Sequence, residues 1–525
     1  MKTNIYSLFI GFFLFFVTSC SILDIEPQDF SSPEYYYRTS EELNMALTGV
    51  YNTLGSYGLY QYTYLCQLGM EADEGFYNRS TVTLGPQFYN YTSSNIHIQN
   101  LWQDLYTGIQ NANLLLENIN KPDMDETKRG QIKGEALFLR AYYYFILAIN
   151  FGDVPLILES TKSANYPKIK RTPVRDVYER ILLDMTEAEG LIMTTEETGF
   201  GGRVNQSAVQ GILARVCLHM AGNPVKDHSK YEGARDWAKK VIDISKHELL
   251  PDYTQVFINY ARDAYDIKES IWEVEFWGNA QDSYREIGHV GNVIGISAPL
   301  GSAWGYSTAL LNVTYYHYKN YEPGDLRRDW NCAPYRYIGD TKSYWRDTHL
   351  YNRNAGKYRR EYETLSPRTN HGTPQNFPLL RYSDVLLMFA EAENELNNGP
   401  TTEAYEALNH VRNRAFGNLM HNAIINPEAT APAGLSKDEF LLFIQKERSH
   451  ELCFEGLRKP DLIRWGIFLQ TMEAVKNEFA ATAGPSWEYG ALAFKNVAER
   501  DLLFPMPMHE TSLNKELGNN PGWNE

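Results

Sequence analysis

The stretch Glu447-Arg448-Ser449-His450-Glu451-Leu452-Cys453-Phe454-Glu455-Gly456-Leu457-Arg458, continued by Asp461-Leu462-Ile463-Arg464-Trp465-Gly466, is the most conspicuous charged motif in this chain. It invites comparison with a catalytic centre. Upstream, however, Ser436 and Glu439 have the spacing of a capping box, which predicts a helix that begins there and runs into the motif. The motif therefore belongs first to a helical element.

Within the motif, Arg448 and Glu451 lie three residues apart, as do Asp461 and Arg464. This spacing places both members of an ion pair on one face of a helix. Arginine forks suit bidentate pairing with carboxylates. We therefore interpret the motif as a charged lock, meaning a set of ion pairs that stabilises the helical scaffold, rather than as a catalytic or binding site.

Outward from the motif, apolar residues recur at helical spacing in pairs of segments. Units of about 35 residues, with small residues one turn before bulky ones, resemble the tetratricopeptide pattern. The spacing between units varies, which predicts a helical scaffold interrupted by long insertions. The predicted pairs are residues 39–54 with 101–119, 135–151 with a helix that begins at Thr172, 208–218 with 231–242, and 384–396 with 404–415.

The largest insertion, residues 253–377, has a different composition. Ile271-Trp272-Glu273-Val274-Glu275-Phe276 alternates like a half-buried strand. Glycines and tryptophans are scattered through the rest of the insertion. A long aromatic loop region on a rigid scaffold is where binding sites are commonly found, so we expect ligand contacts here.

The N-terminal residues have the pattern of an export signal. An apolar run of about 13 residues is too short to span a bilayer and fits a signal peptide. It ends in Val17-Thr18-Ser19-Cys20, a bacterial lipobox pattern, which predicts a signal peptide over 1–19, lipid on Cys20 and an extended arm over 20–38. An ordinary signal peptide with a chance cysteine is the alternative.

Composition excludes several classes of function. The chain has 49 Lys and Arg against 65 Asp and Glu, a formal charge of −16, which argues against a nucleic-acid partner. Cys66, Cys217, Cys332 and Cys453 are isolated, so neither a metal knuckle nor a dense disulfide framework is expected. With 37 Tyr and 10 Trp, the chain is rich in rings that suit binding faces.

The sequence lacks the motifs of common enzyme classes. His247-Glu248 and His450-Glu451 each lack the second histidine of a helical zinc protease. There is no nucleophile elbow, no phosphate-binding loop and no EF-hand-like loop. We therefore predict that the protein is not an enzyme and has no catalytic residue, cofactor or metal. A structural calcium ion stays an open alternative that no motif supports.

Three blocks together with the two chain ends carry a family resemblance. They are residues 381–392, the charged motif, and the helix from Glu135 that leaves through Phe151-Gly152-Asp153-Val154-Pro155-Leu156. With the lipobox and the ending Phe504-Pro505-Met506-Pro507 followed by Asn519-Asn520-Pro521-Gly522-Trp523, they resemble the SusD/RagB family across nearly the whole mature chain.

The resemblance implies a mainly α fold, in which tetratricopeptide-like helix pairs form a right-handed superhelical scaffold with long loop-rich, partly β insertions. The regions would be 39–252, 253–377 and 378–525. It also implies an outer-membrane lipoprotein on the cell surface. Such a protein would bind glycan and deliver it, as a lid, to a SusC-like TonB-dependent β-barrel.

Sugar rings present apolar faces and polar rims, so a glycan site combines aromatic platforms with polar edges. A loop at 73–79 and a loop at 301–306 supply that mix, and by resemblance family sites often join two such regions. Trp102, Trp272 and Trp465 are assigned to the scaffold instead. The candidate glycan-binding residues are Trp304, Tyr306, Asp73, Tyr77, Asn78, Arg79, Asn95, His97, Trp277 and Trp345.

Three other functions stay open. The same scaffold could capture oligopeptides, as in RagB-like members of the family. A surface glycoside hydrolase is an alternative, since the spacing of its acid pair is spatial and not sequential. A tetratricopeptide adaptor would bind a protein partner and no nutrient.

Overall fold

A computed structural model describes residues 36–69, 72–161, 168–280 and 286–523. The predicted signal peptide, Cys20 and most of the predicted arm lie outside these residues. No helix within the described ranges is long and apolar enough to cross a membrane.

The chain is mainly helical. The helices are α1 Ser40–Asn52, α2 Ile96–Asn118, α3 Glu126–Phe151, α4 Val174–Glu189, α5 Thr195–Thr198, α6 Gln206–Ala221, α7 Lys230–Asp243, α8 Tyr253–Arg262, α9 Val290–Val293, α10 Tyr315–Lys319, α11 Arg327–Asn331, α12 Tyr382–Leu396, α13 Thr402–Ala415, α14 Lys437–Glu451, α15 Arg458–Arg464, α16 Phe468–Thr482, α17 Leu492–Asn496 and α18 Met508–Leu513. The strands are β1 Gly75–Tyr77, β2 Ser270–Val274, β3 Leu311–Val313, β4 Tyr335–Ile338, β5 Thr341–Tyr344 and β6 Phe377–Arg381.

The long helices pack in sequence into one continuous scaffold. The four predicted pairs are α1 with α2, α3 with α4, α6 with α7, and α12 with α13, and all four are in contact. Helix α12 also packs on α7, so the chain returns to the scaffold after the long insertion. The prediction of a mainly helical, paired architecture is confirmed.

Helix ends follow the predicted chemistry at two starts and differ at one. The predicted capping box of Ser436 with Glu439 forms, and Thr39 with Glu42 forms a second one at the start of α1. Thr172 does not cap α4: its backbone pairs with Val154 in a β-bridge instead, and the helix begins after Pro173.

The strands form three antiparallel pairs, β1 with β3, β2 with β6, and β4 with β5. Every residue of β2 is buried, so the predicted half-buried strand is covered on both faces. The Glu273 carboxylate is accommodated there by hydrogen bonds from Ser270 and Asn376.

The charged motif forms a buried lock, but with different partners from those predicted. Arg448 donates to Asp384 (2.6 Å) and Asp461 (2.8 Å) rather than to Glu451. The Asp461–Arg464 pair forms as predicted, at 2.8 Å. Arg448 binds the carboxylates of other helices, and not its local partner Glu451, because Asp384 and Asp461 contact two different nitrogens of its guanidinium.

Glu451 has a similar set of long-range partners. Its carboxylate accepts from Arg414 of α13 (2.6 Å), Arg381 at the end of β6 (2.9 Å) and Arg327 of α11 (3.0 Å). Arg381 and Arg414 also contact Glu269, just before β2. These fully buried contacts tie the insertion to the helical scaffold.

The four cysteines Cys66, Cys217, Cys332 and Cys453 are buried thiols outside any disulfide. Trp102 and Trp272 are core residues, and the Trp465 indole donates to Glu391, as predicted for scaffold tryptophans.

Candidate functional site

Pairing of β1 with β3 brings the early polar loop against the mid-chain aromatic segment. Gly75 pairs with Val313 and Tyr77 with Leu311. Beyond the strand, the Asn78 amide donates to the carbonyl of Leu310 at 2.7 Å. The early loop therefore lies beside residues 310–313, which follow the second candidate loop in the chain.

Trp304 stands at the turn of a loop closed by a bridge between Ala298 and Ser307. Gly301 and Gly305 have φ values of 81° and 82°. Residues with a Cβ rarely adopt this backbone conformation, so these positions favour glycine. The Trp304 indole N–H donates to the carbonyl of Asp340, at the tip of the β4–β5 hairpin, at 2.9 Å. This bond fixes a half-buried indole at the protein surface.

Two neighbours border the Trp304 ring. The Tyr337 ring lies 5.8 Å away by centroid, tilted by 30°. The Arg368 guanidinium lies 5.8 Å from the ring centroid. The arrangement places a cation over the indole ring.

Tyr306 is half-buried, and its backbone is pinned. Its carbonyl accepts from Arg360 at 2.6 Å and from Asn292 at 3.0 Å. Within the described ranges its hydroxyl has no hydrogen-bond partner. The phenol is therefore free to contact a ligand.

Of the early loop, Tyr77, Asn78 and Arg79 are half-buried at the surface. Burial raises the pKa of the Tyr77 phenol, so it stays a hydrogen-bond donor at neutral pH. Arg79 donates to the carbonyl of Thr308 at 2.7 Å. It thereby joins the early loop to the Trp304 segment.

Asp73, in contrast, does not present a polar edge to solvent. Its side chain is buried, and both carboxylate oxygens accept from Arg458 at 2.8 Å. This ion pair connects the early loop to α15, so Asp73 acts in the scaffold. We do not carry it into the proposed site.

Asn95 and His97 lie at the start of α2. The Asn95 side chain caps the helix by accepting from the His97 amide at 2.9 Å. The His97 ring packs beside Tyr62, with centroids 6.5 Å apart, and burial lowers the His97 pKa. Neither of these contacts involves Trp304.

Trp277 and Trp345 are separate from Trp304. Trp277 follows β2 and is 45% exposed. Trp345 follows β5, with Arg336 5.0 Å from its ring centroid. Because side chains alternate along β4, Arg336 and Tyr337 point to opposite faces of the hairpin, so Trp345 and Trp304 border different faces.

Sequence reasoning missed two groups that border these regions. The Tyr489 hydroxyl donates to the Asn78 side chain at 2.6 Å, and Trp487 lies 5.8 Å from the Tyr489 ring. The signal was the string Ser-Trp-Glu-Tyr-Gly over 486–490, far from the insertion that we searched. The arginines Arg336 and Arg368 were also missed.

A cavity of about 610 Å³ lies apart from these loops, between α1, residues 200–203 and the end of β2. Glu273 and Glu275 line it, and burial raises the pKa of Glu273 to about 7. It contains none of the predicted ligand residues. Within the described ranges no group of three His, Cys, Asp or Glu side chains could hold a metal ion.

Comparisons with known proteins agree with this architecture. Residues 268–523 match a model described as the SusD family, and residues 23–218 match one described as "Starch-binding associating with outer membrane". A curated relative, SusD-like protein P2 of Formosa agariphila, is 26% identical over 530 residues, with 97% of each chain covered.

Two solved structures place the fold. A SusD homolog from Bacteroides thetaiotaomicron has a TM-score of 0.86 and 28% identity, with 94% of this chain and 98% of that chain covered. Surface glycan-binding protein A from Bacteroides fluxus has a TM-score of 0.70 and 24% identity, with 92% and 100% covered. The second likeness concerns the fold alone.

Proposed function

This chain belongs to the SusD family, and we propose that it is a lipid-anchored outer-membrane protein of the cell surface that binds an oligosaccharide or polysaccharide. It delivers this glycan, as a lid, to a SusC-like TonB-dependent β-barrel. Cys20 carries the lipid.

The platform of Trp304 and Tyr306 carries the binding proposal. A half-exposed indole fixed by its N–H and a phenol with an unpaired hydroxyl offer a flat apolar face beside a polar group. Sugar rings have the same two kinds of surface. The early loop, held to this segment by Arg79 and Asn78, adds further donors.

The function is binding, without catalysis. The relatives and neighbours are named as SusD-like or surface glycan-binding proteins, in agreement with the prediction of no enzyme. A shallow platform should hold its ligand weakly, with a Kd of roughly micromolar to millimolar. Closure over a barrel would strengthen capture by excluding water and adding contacts from the transporter.

The test is a glycan array with residues 21–525, comparing the parent with Trp304→Ala. We expect binding to one glycan class, with affinity lowered by roughly tenfold or more in the variant, about 1.4 kcal/mol. Tyr265→Ala is the matched control, because Tyr265 is an exposed ring that contacts Phe200, which lines the separate 610 Å³ cavity.

The pattern of loss locates the site. Loss in Trp304→Ala alone supports the platform, whereas loss in Tyr265→Ala alone would move the site to the cavity. Binding to peptides without any glycan would favour oligopeptide capture, and turnover of a glycan would favour a hydrolase.

A further inference from the structure

The segment that carries Trp304 and Tyr306 is held near both ends by arginines. Arg368 donates to the carbonyl of Ala303 at 2.9 Å, and Arg79 donates to the carbonyl of Thr308 at 2.7 Å. Ala303 and Thr308 are five positions apart, so at most about 17 Å lies between the two carbonyls. The exposed part of the platform therefore lies between two guanidinium groups.

Neither arginine is paired with a carboxylate in the described part of the chain. The remaining hydrogen bonds of Arg368 go to the carbonyls of Glu361 (3.2 Å) and Glu363 (2.6 Å), and those of Arg79 to the carbonyl of Asn78. Carbonyl groups orient a guanidinium but leave its positive charge uncompensated. The scaffold arginines Arg381 and Arg414 differ, because each contacts at least two carboxylates.

The other face of the hairpin repeats this combination. Arg336 is exposed and lies 5.0 Å from the Trp345 ring centroid. It makes no ion pair and no side-chain hydrogen bond to any residue that the structure describes. All five of its N–H donors are therefore open to an outside acceptor.

Local composition follows the same trend. Residues 299–368 contain 11 Lys and Arg against 7 Asp and Glu, in a chain with 49 against 65. Two of these cations, Arg327 and Lys357, are buried and pair with carboxylates outside the segment, so they do not contribute to the surface charge. Of the carboxylates next to Trp304, Glu361 pairs with Lys342 and accepts from Tyr335 and Tyr337. Asp340 accepts from the neutral donors of Ser302 and Ala303, so it keeps its negative charge. Arg368 beside Trp304 and Arg79 at Thr308 therefore carry positive charge that no carboxylate of the described residues pairs with.

From this geometry we propose that the ligand is an anionic glycan, whose sugar rings carry carboxylate or sulfate groups. This rests on the proposed function. A ring would stack on Trp304 while its acidic group accepts charge-assisted hydrogen bonds from Arg368 or Arg79. A second charged residue of the glycan would reach Arg336 beside Trp345.

The test uses pairs of polysaccharides that differ in charge alone. Polygalacturonate is compared with its carboxyl-reduced form, and heparin with its desulfated form, by calorimetry or affinity electrophoresis. We expect at least tenfold tighter binding of the charged member of one pair, and the identity of that pair separates carboxylate from sulfate. Affinity for it should fall by at least tenfold when NaCl rises from 50 to 500 mM.

Two arginine variants test the residues named. Arg368→Gln and Arg79→Gln should each weaken binding of the charged glycan by at least fivefold and reduce its salt dependence. Arg175→Gln is the matched control, because Arg175 is a half-exposed arginine of α4 that is paired with Asp227. It should bind as the parent does.

The outcomes separate this inference from the function it rests on. Equal or tighter binding of the neutral members, with Trp304→Ala still defective, would overturn the anionic assignment and keep glycan capture. Binding to no glycan, or to poly-glutamate alone, would overturn both. If an arginine variant fails to fold, the salt series on the parent decides.

Discussion

Within the charged motif, Glu451 is the residue that joins the most elements of the fold. Three arginines from separate elements, Arg327, Arg381 and Arg414, converge on one buried carboxylate. Those arginines lower the pKa of Glu451 against the opposing effect of burial, so it stays ionised at neutral pH. Removing the charge leaves three buried cations short of a partner.

We therefore expect Glu451→Gln to lower the free energy of unfolding by ~3–5 kcal/mol, measured by urea denaturation. Glu187→Gln is the control, because the Lys133–Glu187 pair is exposed and should contribute under ~1 kcal/mol. Equal losses in the two variants would contradict a structural role for the lock.

Glu74 predicts a pH dependence of stability. Burial, with a further contribution from the Asp73 charge, raises its pKa from 4.5 to about 8 in the folded chain. Between these two values the folded state holds a proton that the unfolded state lacks. The free energy of unfolding therefore falls as pH rises through this window.

Glu74→Gln removes that titration. We expect the difference in unfolding free energy between pH 5 and pH 8 to change by on the order of 3 kcal/mol, with the variant less sensitive to rising pH. Urea denaturation at both pH values measures it. An unchanged pH slope in the variant would show that Glu74 is ionised in the folded chain.

Single residues of the site could be predicted in part. The flat ring of Trp304 and its flanking glycines were visible in the sequence. The burial of Asp73 was not, because its partner Arg458 lies 385 residues away. Likewise the spacing of Arg448 and Glu451 was correctly read as helical, yet buried partners from other elements replaced the local pair.

At the scale of elements, local periodicity was sufficient for the helix pairs. Capping boxes and apolar helical spacing each involve residues only three or four positions apart, so they can be recognised in the sequence. The pairing of β1 with β3 joins residues more than 200 positions apart, and short strands of three residues carry no reliable pattern. That pairing brings the early loop next to residues 310–313, so this neighbourhood could not be predicted from local sequence.

Gly211 tests the contact between an insertion strand and the scaffold. A Cβ placed at Gly211 in α6 would lie 2.4 Å from the Leu380 side chain of β6. We expect Gly211→Ala to destabilise the protein by ~1–3 kcal/mol through overpacking, measured by thermal and urea unfolding.

Gly49→Ala is the control for that substitution. Gly49 lies within α1, and a Cβ there meets no atom within 4 Å. Alanine should therefore stabilise the helix by ~0.5–1 kcal/mol. If both substitutions raised the free energy of unfolding, helix propensity rather than the α6–β6 contact would determine their effects.

For the whole molecule, the charge distribution separates two tasks. Arg381 and Arg414 in the scaffold are neutralised in buried networks, whereas Arg336 and Arg368 near the tryptophans form no ion pair with the described residues. A rigid helical scaffold thus holds a loop region whose charge and rings are available for binding. This division fits a protein that captures a ligand and passes it on.

Attachment to the membrane is the remaining whole-molecule prediction, and it depends on Cys20, outside the described residues. Each buried methylene of an acyl chain adds about 0.8 kcal/mol, and stable anchoring needs more than one chain. Cys20→Ala should therefore abolish labelling by radioactive palmitate and move the protein out of the membrane fraction. Cys217→Ala, which alters a buried thiol, should keep both label and location. Retention of Cys20→Ala in the membrane fraction without label would mean that a partner, such as the proposed barrel, suffices to hold the protein there.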